Sequence, residues 1–171
     1  HPDIEEFVSW KVYEEQKVAA LVTGSRLNER FLNQIMKACS GDDDTRFDPR
    51  LNTKLADSIR EARTFGIADN YIYRAVQYAK QGFTHIEFPV YNTDWDSEAY
   101  STVSGQNSNN SVRVPNAFMD AMLRNESWDL IRRTDRKVAK TIPAGKLWDD
   151  ICYSAWSCAD PGLQFDTTIN E

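Results

Sequence analysis

Cysteine and histidine are scarce in this sequence, and their scarcity excludes several kinds of site. The 171 residues contain three cysteines and two histidines. So few cysteines cannot form a disulfide framework, and the C-x-x-C spacing that zinc ribbons and thioredoxins use is absent. Neither His1 nor His85 has a second histidine three or four residues away. The sequence therefore predicts no metal site and no histidine-based catalytic triad, and the cysteines are interpreted as reduced, buried thiols.

Long apolar runs and blocks of positive charge are also absent. No stretch approaches the ~20 apolar residues that a membrane span requires, and the acidic, polar first residues are unlike a signal peptide. The 20 Lys and Arg residues are outnumbered by 26 Asp and Glu residues, for a formal net charge of −6. An acidic chain without a basic cluster is poorly suited to binding DNA or RNA. We therefore expect a cytoplasmic protein that binds neither a membrane nor a nucleic-acid polymer.

Apolar residues at helical spacing dominate the first 80 residues. The pattern predicts a helix that starts near Ile4 and stops at Gly24, a second helix capped by Ser25, and two more that end at Gly66 and Gly82. No internal repeat and no linker between domains is present. The first half of the chain is thus predicted to be helical and continuous with the second half.

After Gly82 the pattern changes to short strands and helices. The alternation from His85 to Val90 predicts a short or edge strand, because Pro89 interrupts it. Further strands are predicted at 111–114, 128–132, 138–142 and 163–169, with a hairpin between the middle two and a helix over 144–159. Helical segments followed by mixed segments favour the α/β class.

Two polar stretches stand out in the second half. Gly105 to Ser111 is a dense run of amides and hydroxyls that leads directly into a strand, and Asp166 to Thr168 is polar within a predicted strand. Polar groups are costly to bury unless they are paired, so such clusters suit a site for a polar ligand. The first stretch could equally be a surface turn that binds nothing. The second could be a strand whose alternate residues simply point toward solvent. Both interpretations stay open on composition alone.

Six stretches of the chain, in this order, resemble the adenosylcobalamin-dependent (class II) ribonucleotide reductases, in the long bacterial form of that family. They are HPDIEEFV (1–8), EEQKVAAL (14–21), DWDSEAY (94–100), GQNSNNSVRV (105–114), LIRRTD (130–135) and ADPGLQFDTTINE (159–171). Together they extend over essentially the whole chain.

The resemblance implies an enzyme, a vitamin B12-dependent ribonucleoside-diphosphate reductase that makes deoxyribonucleotides for DNA synthesis. In that family adenosylcobalamin generates a thiyl radical on one cysteine, and the radical removes the ribose 3′ hydrogen. The 2′ hydroxyl then leaves as water, and a second pair of cysteines supplies the electrons. The implied partners are a ribonucleotide substrate, nucleotide effectors and a thioredoxin-type reductant for the full-length enzyme. A homodimer is the assembly that the resemblance allows.

The fold implied by the resemblance is a ten-stranded α/β barrel with a mainly helical insertion. Residues 1–171 then form a single segment of the catalytic barrel domain. About 19–82 are expected to be the helical insertion, and about 105–171 are expected to be barrel strands and helices.

The departures from the family pattern limit what this segment does. The N-P-C-S-E motif of the thiyl radical loop is absent, and so is the glycine-rich loop that responds to effectors. We therefore expect an internal segment that is inactive by itself, and no catalytic role is transferred to Cys39, Cys152 or Cys158. Arg136 stands where the family commonly has glycine, and a residue other than glycine disfavours the positive φ that a tight two-residue hairpin turn requires.

Four polar residues are the predicted substrate-binding or cobalamin-facing residues of this segment. Asn109 and Ser111 belong to the first polar stretch, and Asp166 and Thr168 belong to the second. On a strand, residues two apart point to the same face, so each pair is expected to share one face of a barrel strand.

Two other interpretations remain. The chain is then either a non-catalytic helical module, derived from the reductase, that binds a protein partner, or a piece of a spliced protein. The encoding DNA on either side distinguishes them. A reading frame that continues into N-P-C-S-E favours the enzyme, a start codon and a stop codon favour the module, and intein-like junctions favour splicing.

Overall fold

The computed structural model describes all 171 residues, which form helices and two small sheets. Helices α1 to α7 span Ile4–Ala38, Thr53–Thr64, Asp69–Lys80, Glu98–Ser101, Asn116–Leu123, Ala144–Cys158 and Asp166–Asn170, and a 3₁₀ helix spans Asp44–Phe47. Strands β1 to β4 span Ser111–Val114, Ser127–Ile131, Val138–Pro143 and Gly162–Phe165. The predicted α/β class is confirmed. No helix combines the length and the apolarity that a membrane crossing demands.

The chain divides into two compact units. Residues 1–17 and 103–171 form the first unit, and residues 18–102 form the second. Helix α1 contributes to both, because the boundary falls after Lys17.

Helix α1 is one continuous helix of 35 residues. The predicted stop at Gly24 and the predicted cap at Ser25 are therefore wrong. A glycine inside a helix costs only about 1 kcal/mol, and burial of Val18 and Val22 next to it offsets that cost. Instead of capping a helix, the Ser25 hydroxyl donates a hydrogen bond to the Val22 carbonyl, 2.9 Å away.

The first unit contains both sheets. Strands β1 and β4 are parallel, with Ser111 opposite Gly162 and Val114 opposite Phe165. Strands β2 and β3 form the predicted antiparallel hairpin. Helices α5 and α6 pack with these strands around one apolar core, whose buried members are Val8, Val112, Val114, Phe118, Ala121, Leu130, Ile142, Ala144, Leu147 and Ile151.

The hairpin turn contains a residue in the left-handed region. Arg136 has φ = 59°, which is unfavourable for a residue with a β-carbon. The turn nevertheless closes, since the Arg132 N–H donates to the Lys137 carbonyl at 3.0 Å and the Asp135 carboxylate accepts from the Lys137 N–H at 3.1 Å. The hairpin therefore forms although arginine stands where the family commonly has glycine.

The second unit is a helical bundle built from the rest of α1, α2 and α3. Its buried core consists of Phe31, Leu32, Ile35, Met36, Cys39, Leu55, Ala62, Ile67, Ile72 and Ala75. The strand predicted at 85–90 is not formed. This segment has no partner strand. The main-chain groups of Ile86 form hydrogen bonds with the side-chain amide of Asn33 instead.

The last predicted strand, 163–169, is shorter than expected. Strand β4 ends at Phe165, and Asp166 begins the short helix α7. Two local effects favour the change. A carboxylate in the first turn of a helix interacts favourably with its dipole, and the Asn170 side-chain amide donates to the Asp166 carbonyl at 2.8 Å.

Candidate functional site

The polar run that begins at Gly105 is attached to helix α1 by a buried carboxylate. Glu14 is only 5% exposed, and its two oxygens accept from the Lys17 ammonium at 2.6 Å and from the Ser104 N–H at 3.1 Å. The hydrogen bond from Lys17, followed by that from Ser104, lowers the pKa of Glu14 below its ordinary value of 4.5. The carboxylate is therefore held in its charged form where the polar run starts.

Gly105 makes a close approach to the indole ring of Trp10. A β-carbon at this position would lie 2.5 Å from the Trp10 Cη2 atom, and the glycine has φ = 72°. Both the space and the backbone conformation require glycine. The run therefore turns tightly against α1 at this residue.

A buried ion pair holds the middle of the run. Lys11 on α1 and Asp160, two residues before β4, are 2.9 Å apart, with side chains 12% and 10% exposed. The same Asp160 oxygen accepts the Asn110 N–H at 3.0 Å, and Lys11 also donates to the Ser108 carbonyl. Buried charges are costly unless they are paired and hydrogen-bonded, and here both conditions are met.

The same carboxylate connects two neighbouring strands. Asp160 precedes β4 and binds the N–H of Asn110, which precedes β1, while the Gly162 N–H donates to the Asn110 carbonyl at 2.9 Å. The start of β1 and the start of β4 are thus joined by a charged hydrogen bond and a backbone hydrogen bond.

Two side-chain amides of the run have unmet hydrogen-bonding capacity. The amide nitrogens of Gln106 and Asn110 are buried and have no hydrogen-bond partner. An unpaired buried polar group costs about 1–3 kcal/mol, and native proteins keep few of them. Asn109, which lies between these two residues in the sequence, is exposed. The run therefore combines an incompletely satisfied interior with an exposed amide held at a defined position.

The structure separates the four predicted site residues into two pairs. Ser111 is the first residue of β1 and Asn109 lies two residues earlier, outside the strand, so this pair does not share a strand face as expected. Asp166 and Thr168 lie in α7, beyond the end of β4. Since β1 and β4 are parallel and in register, the two pairs are at opposite ends of this sheet. Ser111 is level with Gly162, so the four residues from there to Asp166 correspond to ~13 Å along the strand at about 3.3 Å per residue. The expectation that Asp166 and Thr168 share one face of a strand is wrong, because they are helical.

The carboxyl end of this sheet is organised around Arg113. Its guanidinium donates to the Asp166 carboxylate and to the Gln164 side-chain oxygen, each at 3.1 Å. The Asn116 N–H at the start of α5 donates to the Thr167 hydroxyl at 3.0 Å. Thr167 rather than Thr168 therefore makes the contact between the two strand ends. Sequence reasoning assigned no role to Arg113, Thr167, Lys11 or Asp160. Arg113, Thr167 and Asp160 lie inside stretches that resemble the family, which was the available signal, whereas Lys11 lies outside all of them.

No metal centre accompanies these residues. The chain has no group of three or more His, Cys, Asp or Glu side chains placed to hold a metal ion. The side chains at the two ends of the β1–β4 sheet offer hydrogen bonding from amides, hydroxyls and one guanidinium.

Comparison with known proteins assigns the chain to a family. The full length, residues 1–171, matches the family described as "Ribonucleotide reductase, barrel domain". The chain belongs to this family.

The names of the similar proteins indicate the branch of the family. The vitamin B12-dependent ribonucleotide reductases of Bradyrhizobium diazoefficiens and Agrobacterium fabrum are 54% and 51% identical over the whole chain. The enzyme of that name from Rhodopirellula baltica is 37% identical over 83 residues, or 47% of the chain. The resemblance to vitamin B12-dependent ribonucleotide reductases is thereby confirmed. The chain spans 14% of the length of the first two relatives.

Proposed function

We propose that the full-length protein containing this chain is a ribonucleotide reductase that uses adenosylcobalamin to convert ribonucleotides to deoxyribonucleotides. The observation that carries the proposal is the identity of more than half, over the entire chain, with two proteins named as vitamin B12-dependent ribonucleotide reductases. Substrate at the diphosphate level, a thioredoxin-type reductant, nucleotide effectors, a homodimer and a cytoplasmic location are parts of the same proposal.

Within that enzyme, the first unit would contribute two strands to a ten-stranded α/β barrel. Strands β1 and β4 are parallel neighbours, and a helix follows each of them directly. Leu163 and Phe165 lie opposite the buried Val112 and Val114, yet they are 37% and 46% exposed. An edge strand with a partly uncovered apolar face suits pairing with a further strand. Residues 105–171 would then be barrel segments, and about 19–82 a helical insertion.

The polar residues at the two ends of the β1–β4 sheet would face the nucleotide or the cofactor. Asn109 and Ser111 would act at the amino end, and Asp166 and Thr168 at the carboxyl end. Asn109, Ser111 and Thr168 are exposed, and Asp166 is half-buried beside Arg113. Side-chain amides and hydroxyls of this kind bind ribose hydroxyls and phosphate oxygens.

The cavity beside β1 does not by itself fit a cobalamin. The cavity beside β1, lined by Val112, Val114, Phe118 and Leu130 among others, has a volume of about 180 Å³. Pockets for small molecules are typically ~300–1,000 Å³. Most of the cofactor site would therefore be built by other parts of the enzyme.

The three cysteines would have no redox role. Cys39 is buried, and burial raises the pKa of its thiol above 9.0, which opposes formation of the reactive thiolate. The Cys158 thiol donates to the Ser154 and Asp160 carbonyls, both at 3.4 Å. Cys152 is exposed on α6, so the interpretation of the cysteines as buried thiols is wrong at this position. The radical cysteine would thus come from a segment outside this chain.

The experiment is an assay of the purified full-length protein with ribonucleoside diphosphates and triphosphates and a thioredoxin-type reductant, with and without adenosylcobalamin. We expect deoxyribonucleotide to form only when the cofactor is present, and diphosphates to be preferred. No product with any substrate would contradict the proposal. Binding of a protein partner in the absence of any reductase activity would favour the non-catalytic module instead.

A further inference from the structure

The geometry points to Lys11 and Asp160 as positioning residues for Asn109. This inference rests on the proposed function, in which Asn109 faces a nucleotide or the cofactor. It concerns how an exposed amide is held in one direction by residues that touch no ligand themselves.

Lys11 and Asp160 hold the two peptide groups on either side of Asn109. The peptide before it contains the Ser108 carbonyl, which accepts a hydrogen bond from the Lys11 ammonium. The peptide after it contains the Asn110 N–H, which donates to the Asp160 carboxylate at 3.0 Å. Lys11 and Asp160 in turn form a 2.9 Å ion pair with each other. Both peptide planes around the Asn109 α-carbon are therefore fixed by one pair of side chains.

Two further contacts make the arrangement rigid. The Asn110 carbonyl accepts from the Gly162 N–H at 2.9 Å, which fixes the next peptide to β4. The Ser108 hydroxyl donates to the Gly105 carbonyl at 2.9 Å, which closes the loop on its other side. Asn109 itself is exposed, and none of these hydrogen bonds uses its side chain. Its side-chain amide is left free to meet a ligand, and the direction of its Cα–Cβ bond is set by the two fixed peptide groups.

The charges also suit a positioning role. The ion pair is nearly buried, so removing one partner leaves the other charge without compensation in a position that water hardly reaches. The loop would then lose its defined geometry without losing any residue that contacts the ligand. Positioning residues of this kind keep a binding or catalytic group in its productive orientation.

The test is a double-mutant cycle in the full-length enzyme. Asn109→Ala should raise the KM for the ribonucleotide or lower kcat by about 3- to 10-fold, the value of one hydrogen bond. Asp160→Asn should change the same parameter in the same direction. The double variant should be no worse than Asn109→Ala alone, because the positioning is useless once the amide is gone. Additive effects in the double variant would overturn the inference.

Conservative variants separate positioning from general damage to the fold. Lys11→Arg, which keeps a cationic donor, should retain more activity than Lys11→Met. Asp150→Asn is the matched control, since Asp150 forms an exposed ion pair with Lys146 at 2.7 Å and does not contact the loop. We expect this variant to have the kinetics of the unmodified enzyme. Equal losses in the Asp150 and Asp160 variants would overturn the inference.

Amide hydrogen exchange gives a readout that does not depend on activity. In Asp160→Asn and in Lys11→Met, exchange at Asn110, whose N–H donates to Asp160, should become faster than in the unmodified protein, while exchange within α6 stays unchanged. Unchanged exchange at this amide would contradict the positioning role even if the reductase is active. A different outcome is that exchange becomes faster in the Lys11 and Asp160 variants while Asn109→Ala has unchanged kinetics. That outcome would contradict the ligand-facing role assigned to Asn109 under the proposed function.

Discussion

The side-chain amide of Asn33 hydrogen-bonds both main-chain groups of Ile86. Its nitrogen donates to the Ile86 carbonyl at 3.0 Å, and its oxygen accepts the Ile86 N–H at 2.9 Å. This exchange of two hydrogen bonds is what an antiparallel strand partner would provide. One buried side chain of α1 thus replaces a neighbouring strand, and Ser25 on the same helix accepts the Tyr91 N–H further along the segment, at 3.0 Å.

Asn33→Ala should therefore destabilise the second unit. The loss of both hydrogen bonds, with the main-chain groups of Ile86 left unpaired, should lower the free energy of unfolding by about 1–3 kcal/mol. Urea titration gives this value, and amide exchange at Ile86 should become faster. Asn28→Ala on the same helix is the matched control and should change the stability by less than about 0.5 kcal/mol. Equal stability of both variants would refute the role given to Asn33.

Alanine at two glycines should have opposite effects. Gly105→Ala places a β-carbon against the Trp10 ring at φ = 72°, so we expect a loss of about 2–4 kcal/mol. Gly24 lies inside α1, and a β-carbon added to it would have no atom within 4 Å, so Gly24→Ala should gain about 0.5–1 kcal/mol. Thermal unfolding of both variants checks the pair. A loss at Gly24 would contradict the continuous helix.

Arg136→Gly should stabilise the hairpin. Arg136 has φ = 59°, which glycine adopts without steric cost, although glycine also loses more conformational entropy on folding. The net gain should be about 0.5–1 kcal/mol, visible as a higher Tm. Arg133→Gly in the same turn lacks a positive φ to relieve and should give no gain. A gain at both positions would point to charge rather than backbone conformation.

The stability of the chain should fall at acid pH partly through Glu14. Its pKa is lowered by Lys17 and Ser104, so the charged carboxylate is favoured in the folded state. The stabilisation is present above the ordinary value of 4.5 and is lost as the pH falls through the lowered pKa. Urea titrations between pH 7 and pH 3 should show the difference from Glu14→Gln becoming smaller below about pH 4.5.

Lys17→Met provides the check on the cause. Lys17 makes the largest contribution to the lowered pKa, so its removal should move the acid loss of stability to higher pH. An unchanged pH profile in this variant would assign the effect to other groups.

Local patterns predict much of the secondary structure correctly. The hairpin of β2 and β3, helix α6 and strand β1 all lie where alternation or helical spacing places them. These elements are determined by short-range propensity and by the burial of one face, which a sequence window captures. Strand β4 ends earlier than its pattern predicts, because the local hydrogen bonds that begin α7 at Asp166 compete with strand formation.

Family membership and the α/β class were determined by the sequence alone, since long motifs and hydrophobic periodicity are properties of the chain itself. The tertiary structure decided which polar residues meet. Lys11 and Asp160 are 149 residues apart, and no spacing rule connects them. The tertiary structure also separated Asn109 from Asp166, although both had been predicted as site residues from the polar composition of their stretches. Such contacts depend on how β1, β4 and α1 pack around a shared core, and that packing is a collective result of distant residues rather than of any local pattern.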